Sequence, residues 1–134
     1  PIVLIGRDDR TNRHRKPLAQ LMDEARAVAR AALPENETVD SLSTPLSPFF
    51  IVLDHQPYRL DKSEHEGVDF QLSGHTHRGQ VWPASWVTDW MYECSWGPYR
   101  RGRTQYYVSS GLGIWGGRFR IGTQSEYVVA TLTN

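Results

Sequence analysis

Val68-Asp69-Phe70-Gln71-Leu72-Ser73-Gly74-His75-Thr76-His77-Arg78-Gly79-Gln80 is the stretch whose reading decides the fold. Val68, Phe70 and Leu72 alternate with Asp69, Gln71 and Ser73, the period of a strand with at least one buried face. Gly74 is free to take a positive φ, so the strand is predicted to stop there and the chain to turn sharply. Two imidazoles one residue apart then stand at the exit of a rigid strand, where α/β folds carry their chemistry. Neutral imidazole is the commonest protein ligand for transition metals, because its lone pair binds without costing a net charge. A metal site is the chemical reading; hydrogen-bonded surface histidines are the alternative.

The same pattern recurs upstream. Phe49-Phe50-Ile51-Val52-Leu53 is a continuous apolar run that ends in Asp54-His55-Gln56-Pro57. It predicts a central buried strand with a histidine at its exit and a turn set by Pro57. Ile2-Val3-Leu4-Ile5, closed by Gly6, predicts another buried strand. Between these two runs, Leu18, Leu21, Met22, Ala25, Val28, Ala29 and Ala32 recur at spacings of three and four. They predict a helix over Pro17 to Leu33, entered through Pro17 and stopped by Pro34. Strand, helix, strand is an α/β layer arrangement. Arg7 to Lys16 reads as a loop, its Arg/Asp content serving either an anionic substrate or surface ion pairs. Glu35 to Pro48 reads as a second loop, and Tyr58 to Glu66 as a polar link with one helical turn.

Downstream, Trp82, Trp86 and Trp90 stand four apart and predict a short helix from about Ser85, with the aromatic stripe packed in the core. Residues flanking Arg101-Gly102-Arg103 predict a hairpin. Ser110 to Gly117 is glycine-rich, lacks the lysine of a phosphate-binding loop, and is expected to pass close to the histidine loops. Arg118 to Ile121 and Tyr127 to Leu132 read as two final strands.

The 134 residues suit one domain, and 15 basic residues balance 15 acidic ones. That balance argues against a general nucleic-acid or anionic-membrane binder. Cys94 is alone, so no intrachain disulfide supports the fold. No apolar stretch approaches membrane-spanning length. The opening without methionine reads as the interior of a longer polypeptide, a processed product or a trimmed piece.

His55, His75 and His77 each follow a predicted buried strand, whereas His14 and His65 sit in polar loops and read as surface residues. Parallel neighbouring strands would bring their exits to one sheet edge, where ligands bind in such folds. Three convergent imidazoles suffice for one metal with an open position. On spacing alone His75 and His77 share a face and would share a metal.

Asp54-His55-Gln56-Pro57, with Gly67-Val68-Asp69 leading into Leu72-Ser73-Gly74-His75-Thr76-His77-Arg78-Gly79-Gln80, resembles the calcineurin-like metallophosphoesterases, most of all their bacterial branch. Leu4 to Asp9, Tyr106 to Gly113 and Arg120-Ile121-Gly122 are similar to that branch too. The resemblance implies an α/β (α+β) fold, part of a four-layer α/β/β/α sandwich. Residues 1–134 would be a single C-terminal portion of the domain, with the N-terminal half missing. It implies two divalent metals (Mn, Fe, Zn, Ni or Co), His55 and His75 on one and His77 on the other. Geometry by spacing and the family pattern thus differ on His77. The family's Asp-x-His, Gly-Asp and Gly-Asn-His motifs do not occur in the chain, and with them go a bridging aspartate and the histidine expected as general acid.

The implied function is hydrolysis of a phosphoester in the longer parent, phosphatase or phosphodiesterase, by metal-bound hydroxide attacking phosphorus. Arg78 and Arg7 are the candidates to touch phosphate oxygens, Asp54 to support His55, and the chain alone is expected to be inactive. The competing expectations are a binding module that self-associates through the uncovered sheet face, and a single-metal histidine site. For localisation the expectations are cytoplasmic, or membrane-associated or exported if the N-terminal part carries an anchor or signal.

Overall fold

The computed structural model describes residues 1–32 and 47–133. The predicted helix stop at Leu33–Pro34 and most of the predicted loop Glu35–Pro48 lie outside the described residues. The elements run β1 (Ile2–Gly6), α1 (Leu18–Ala31), β2 (Phe49–Leu53), α2 (Leu60–His65), β3 (Phe70–Ser73), α3 (Ala84–Met91), β4 (Gly97–Arg101) and β5 (Thr104–Val108). They build one mixed sheet in the order β1-β2-β3-β5-β4. β1, β2, β3 and β5 are mutually parallel, and β4 closes the far edge antiparallel to β5. Gly102, with φ 54°, makes the predicted hairpin turn between β4 and β5. This is the expected α/β class; the second sheet of the implied sandwich is not present among the described residues.

The apolar stripe of α1 decides where the main core lies. Leu18, Met22 and Ala25 pack with Ile5, Phe50, Val52 and Val68. Those residues alternate along their strands, so α1 covers one face of the sheet. The other face of β1 is open: Ile2 is exposed and Leu4 is 63% exposed. The continuous apolar run of β1 therefore does not mark a strand buried on both faces, because α1 lies on only one of them. A second cluster joins Leu60 and Cys94 to Tyr106 and Val108, tied by the Tyr106 hydroxyl donating to Leu60 O at 2.8 Å. Burial pushes the Cys94 thiol pKa up and keeps it protonated.

Met22 is fully buried in the main core. Met22→Ala is expected to cost about 2–4 kcal/mol in urea unfolding, through lost transfer energy plus the cavity left behind. A loss below about 1 kcal/mol would show that α1 is not seated on the sheet.

Two further expectations are corrected. The final strands do not form: Ile121 makes a single bridge to Val81, and beyond it Tyr127 is exposed and Val129 is 80% exposed, with no strand to pair. The tryptophan stripe is not core: Trp82 and Trp86 are exposed and Trp90 is 87% exposed. The reason is the seat of α3, which packs against the turn carrying His77 rather than against the sheet. Among the described residues no helix is long and apolar enough to cross a membrane.

Candidate metal centre

The register of β2 against β3 delivers the imidazoles. Leu53 pairs with Leu72, and the ladder continues past both strand ends, with Asp54 N donating to Leu72 O at 3.1 Å and Gly74 N to His55 O at 3.0 Å. His55 and His75 therefore meet at the carboxyl edge of the parallel strands, where such sheets bind ligands. His55 Nε2 lies 3.2 Å from His75 Nδ1, and the rings meet edge to face at 82°.

The turn that follows is conformationally unusual. His75, His77, Arg78 and Gln80 all have positive φ, from 49° to 69°. Each costs a residue with a Cβ about 1 kcal/mol or more, so the surroundings must hold the turn. Gly74, predicted to take the left-handed conformation, does not; His75 does instead, at φ 69°. Thr76 Oγ1 donates to Ser95 O at 2.6 Å and accepts from Arg78 N at 3.2 Å. Gln80 reaches into the glycine-rich loop, its Nε2 donating to Trp115 O at 2.7 Å and Gly117 O at 3.0 Å.

His77 lines the same cavity as His55 and His75, but the three are not gathered into one metal-holding group. Its Nδ1 faces Arg120 Nη2 at 3.4 Å, and that guanidinium also donates to Ser110 O at 2.8 Å and Gly111 O at 3.0 Å. The glycine-rich loop is thereby wrapped around His77, as its glycines led one to expect. Gly111 comes closest: a Cβ there would lie 4.0 Å from the His77 ring.

Burial, helped by the neighbouring His55 and His77 imidazoles, lowers the His75 pKa, with Asp9 opposing. The neutral form, whose lone pair can bind a cation, is favoured. Thr11 hydrogen bonds hold the Asp9 carboxyl below its usual range, with smaller help from His55 and His75. The sequence did not single out Asp9 as a site residue, as it sits in a loop with no strand-exit signature.

The other sequence candidates lie elsewhere. Asp54 does not reach the His55 imidazole; its Oδ2 accepts from Arg7 Nη1 at 2.7 Å and Arg15 Nη2 at 2.6 Å. Side chains alternate across the strand, so Asp54 points to the α1 face and His55 away from it. Arg7 is accordingly tied to Asp54. Arg78 stacks its guanidinium 3.8 Å over the Trp96 ring and lines a neighbouring cavity. His14 and His65 are exposed, as expected of surface residues.

Two nitrogens on one tetrahedral cation at about 2.0–2.1 Å stand roughly 3.3 Å apart. The 3.2 Å between His55 and His75 matches one edge of such a site. Among the described residues, no group of three or more His, Cys, Asp or Glu is gathered to hold a metal ion. The pair fits part of a centre and does not complete one.

The chain is similar to an uncharacterized metallophosphoesterase of Helicobacter pylori J99, 42% identical over 78 residues, covering 57% of this chain and 21% of that protein. An uncharacterized metallophosphoesterase of Campylobacter jejuni is 39% identical over 83 residues, covering 61% of this chain and 22% of that protein. A transmembrane protein with metallophosphoesterase domain from Danio rerio is 37% identical over 79 residues, covering 57% of this chain and 18% of that protein. The chain spans about a fifth of the length of the curated relatives it matches. No protein-family profile matches it, and no solved structure does. With 37–42% identity over about 60% of its length, the chain is a homologue of the metallophosphoesterases, as a partial metallophosphoesterase domain would be.

Proposed function

We propose that the protein to which this chain belongs hydrolyses phosphoesters with divalent metals, and that His55 and His75 supply one edge of one metal's coordination. The carrying observation is the 3.2 Å separation of His55 Nε2 and His75 Nδ1 at the carboxyl edge of the parallel strands. Two divalent cations, when bound, would lower the pKa of water and offset the charge of the phosphate oxygens. His77, held by Arg120 at the margin of the same cavity, is assigned to the second metal. Arg78, released from Trp96, is the cation nearest in sequence to reach a phosphate oxygen, whereas Arg7 is engaged by Asp54.

The isolated chain is expected to bind metal weakly and to be inactive, since among the described residues no bridging carboxylate joins the imidazoles. The open face of β1 around Ile2 and Leu4 is where the second layer of a four-layer sandwich would pack. The same open face favours one other reading, a self-associating module without activity. A clean monomer in sedimentation would count against that reading.

Calorimetric titration of the metal-stripped chain with manganese, and separately with zinc, tests the centre. Both are expected to bind, and His75→Ala is expected to weaken binding at least about 100-fold. That exceeds the loss from removing a mere supporting partner, roughly 10–100-fold. Equal binding by the variant would remove the pair as a ligand edge.

A further inference from the structure

The imidazoles open into a cavity of about 470 Å³, within the size range of small-molecule sites. Its two sides differ in chemistry. His55, His75 and His77 come from the strand-exit turns, while Ala84, Val87 and Met91 of α3 supply apolar lining to the same space, with Thr88 and Tyr92 beside them. Trp115 of the glycine-rich loop joins the apolar side. Val87 is 55% exposed, and Met91 and Trp115 are exposed with it.

α3 brings no charge to this wall. Asp89 is its one ionisable side chain, and Asp89 is hydrogen-bonded to Ser95. The helix has no acidic residue in its first turn and no basic residue in its last. A leaving group rich in hydroxyls or amides would gain no side-chain hydrogen bond from Ala84, Val87 or Met91 and would give up water to lie against them. An apolar group would instead cover surface that is otherwise left to water.

We infer that the site takes an amphiphilic phosphoester: a phosphate held at the imidazole side and an alkyl or aryl group laid against Ala84, Val87, Met91 and Trp115. The inference rests on the proposed phosphoester chemistry for the position of the phosphate. The α3 wall sets specificity through contact with the esterified group alone. Trp86 and Trp90 extend the same helix into solvent beyond the cavity.

The test is calorimetric titration of the chain with methylphosphonate, hexylphosphonate and phenylphosphonate, with and without manganese. Hexylphosphonate is expected to bind roughly 30-fold more tightly than methylphosphonate, for five further methylenes about half buried. Phenylphosphonate distinguishes an aryl from an alkyl source of the apolar group. Val87→Asn, at an exposed helix position, is expected to reduce the hexyl-to-methyl ratio to about threefold or less, a ratio from which any effect common to both phosphonates cancels. Met91→Asn provides a second uncharged variant at a separate position.

Equal affinity for the phosphonates, no detectable hexylphosphonate binding, or a chain-length preference that survives both variants would overturn the inference. Manganese addresses the other claim. A chain-length preference indifferent to manganese overturns the holding of the phosphate through a metal on His55 and His75 in this chain and leaves the apolar wall standing. A manganese-dependent affinity without chain-length preference does the reverse.

Discussion

Asp54→Ala is expected to be among the most destabilising single changes in this chain, at about 3–5 kcal/mol in urea unfolding. Asp54 is only 4% exposed and accepts from two guanidinium groups, Arg7 at 2.7 Å and Arg15 at 2.6 Å. Those arginines are themselves 16% and 11% exposed. Removing the carboxylate leaves two largely buried like charges facing each other with nothing between them. Their remaining donors give no relief, since the Nε atoms of Arg7 and Arg15 are already buried without a partner. Losing one partner of a buried ion pair costs far more than the pair contributes, because the stranded charge stays desolvated. A cost under about 1 kcal/mol would show that water reaches the cluster. Asp54 sits at the root of the β2 exit, immediately before His55. The same variant is therefore expected to loosen the 3.2 Å contact between His55 and His75.

Gly79→Ala is the second large effect, expected at about 3–4 kcal/mol. A Cβ at Gly79 would lie 2.3 Å from Ser85 N, 2.4 Å from Ala84 C and 2.6 Å from Ser85 Cα. All three are backbone atoms at the start of α3, so no side chain can swing aside. Gly79 also has φ +73°, which costs a residue with a Cβ about 1–2 kcal/mol in addition to overpacking of about 1–3 kcal/mol. Relief comes only if α3 moves off the turn that carries His77. The variant should therefore lose stability and hexylphosphonate affinity together, whereas Gly113→Ala, with nothing within 4 Å and no positive φ, should change neither. An unaltered melting temperature for Gly79→Ala would mean that α3 is not held against the turn.

The seating of α3 also explains why the tryptophans were misread. Trp82, Trp86 and Trp90 have the spacing of a core-facing helical stripe, and periodicity reports only that residues share a face. It does not say what that face meets. Here the close approach at Gly79 turns the tryptophan face outward. The tail failed for a related reason. Tyr127 to Leu132 has the composition of a strand, but a strand forms only where a neighbouring edge accepts its hydrogen bonds, and β1 and β4 are the edges of this sheet.

Histidine placement divides along the same line. That His55 and His75 leave adjacent buried strands was legible from two apolar runs, each ending in a turn residue. Parallel pairing then brought them together almost without choice. The role of Arg120 was not legible, because it approaches His77 from 43 residues downstream. Nor was the destination of Asp54, which depended on which face of β2 it took and on Arg7 and Arg15 meeting there.

From the sequence alone came the α/β class, β1 to β5 with the three helical segments between them, the exits carrying His55, His75 and His77, and the kinship with metallophosphoesterases. Local pattern suffices for these, because apolar period and turn residues act over a few neighbours. The tertiary structure alone decided that His55 and His75 form a pair while His77 turns to Arg120. It also decided that one face of β1 stays open and that α3 offers an apolar wall to the site. Those outcomes depend on contacts between residues distant along the chain, and such contacts leave no periodic trace in it.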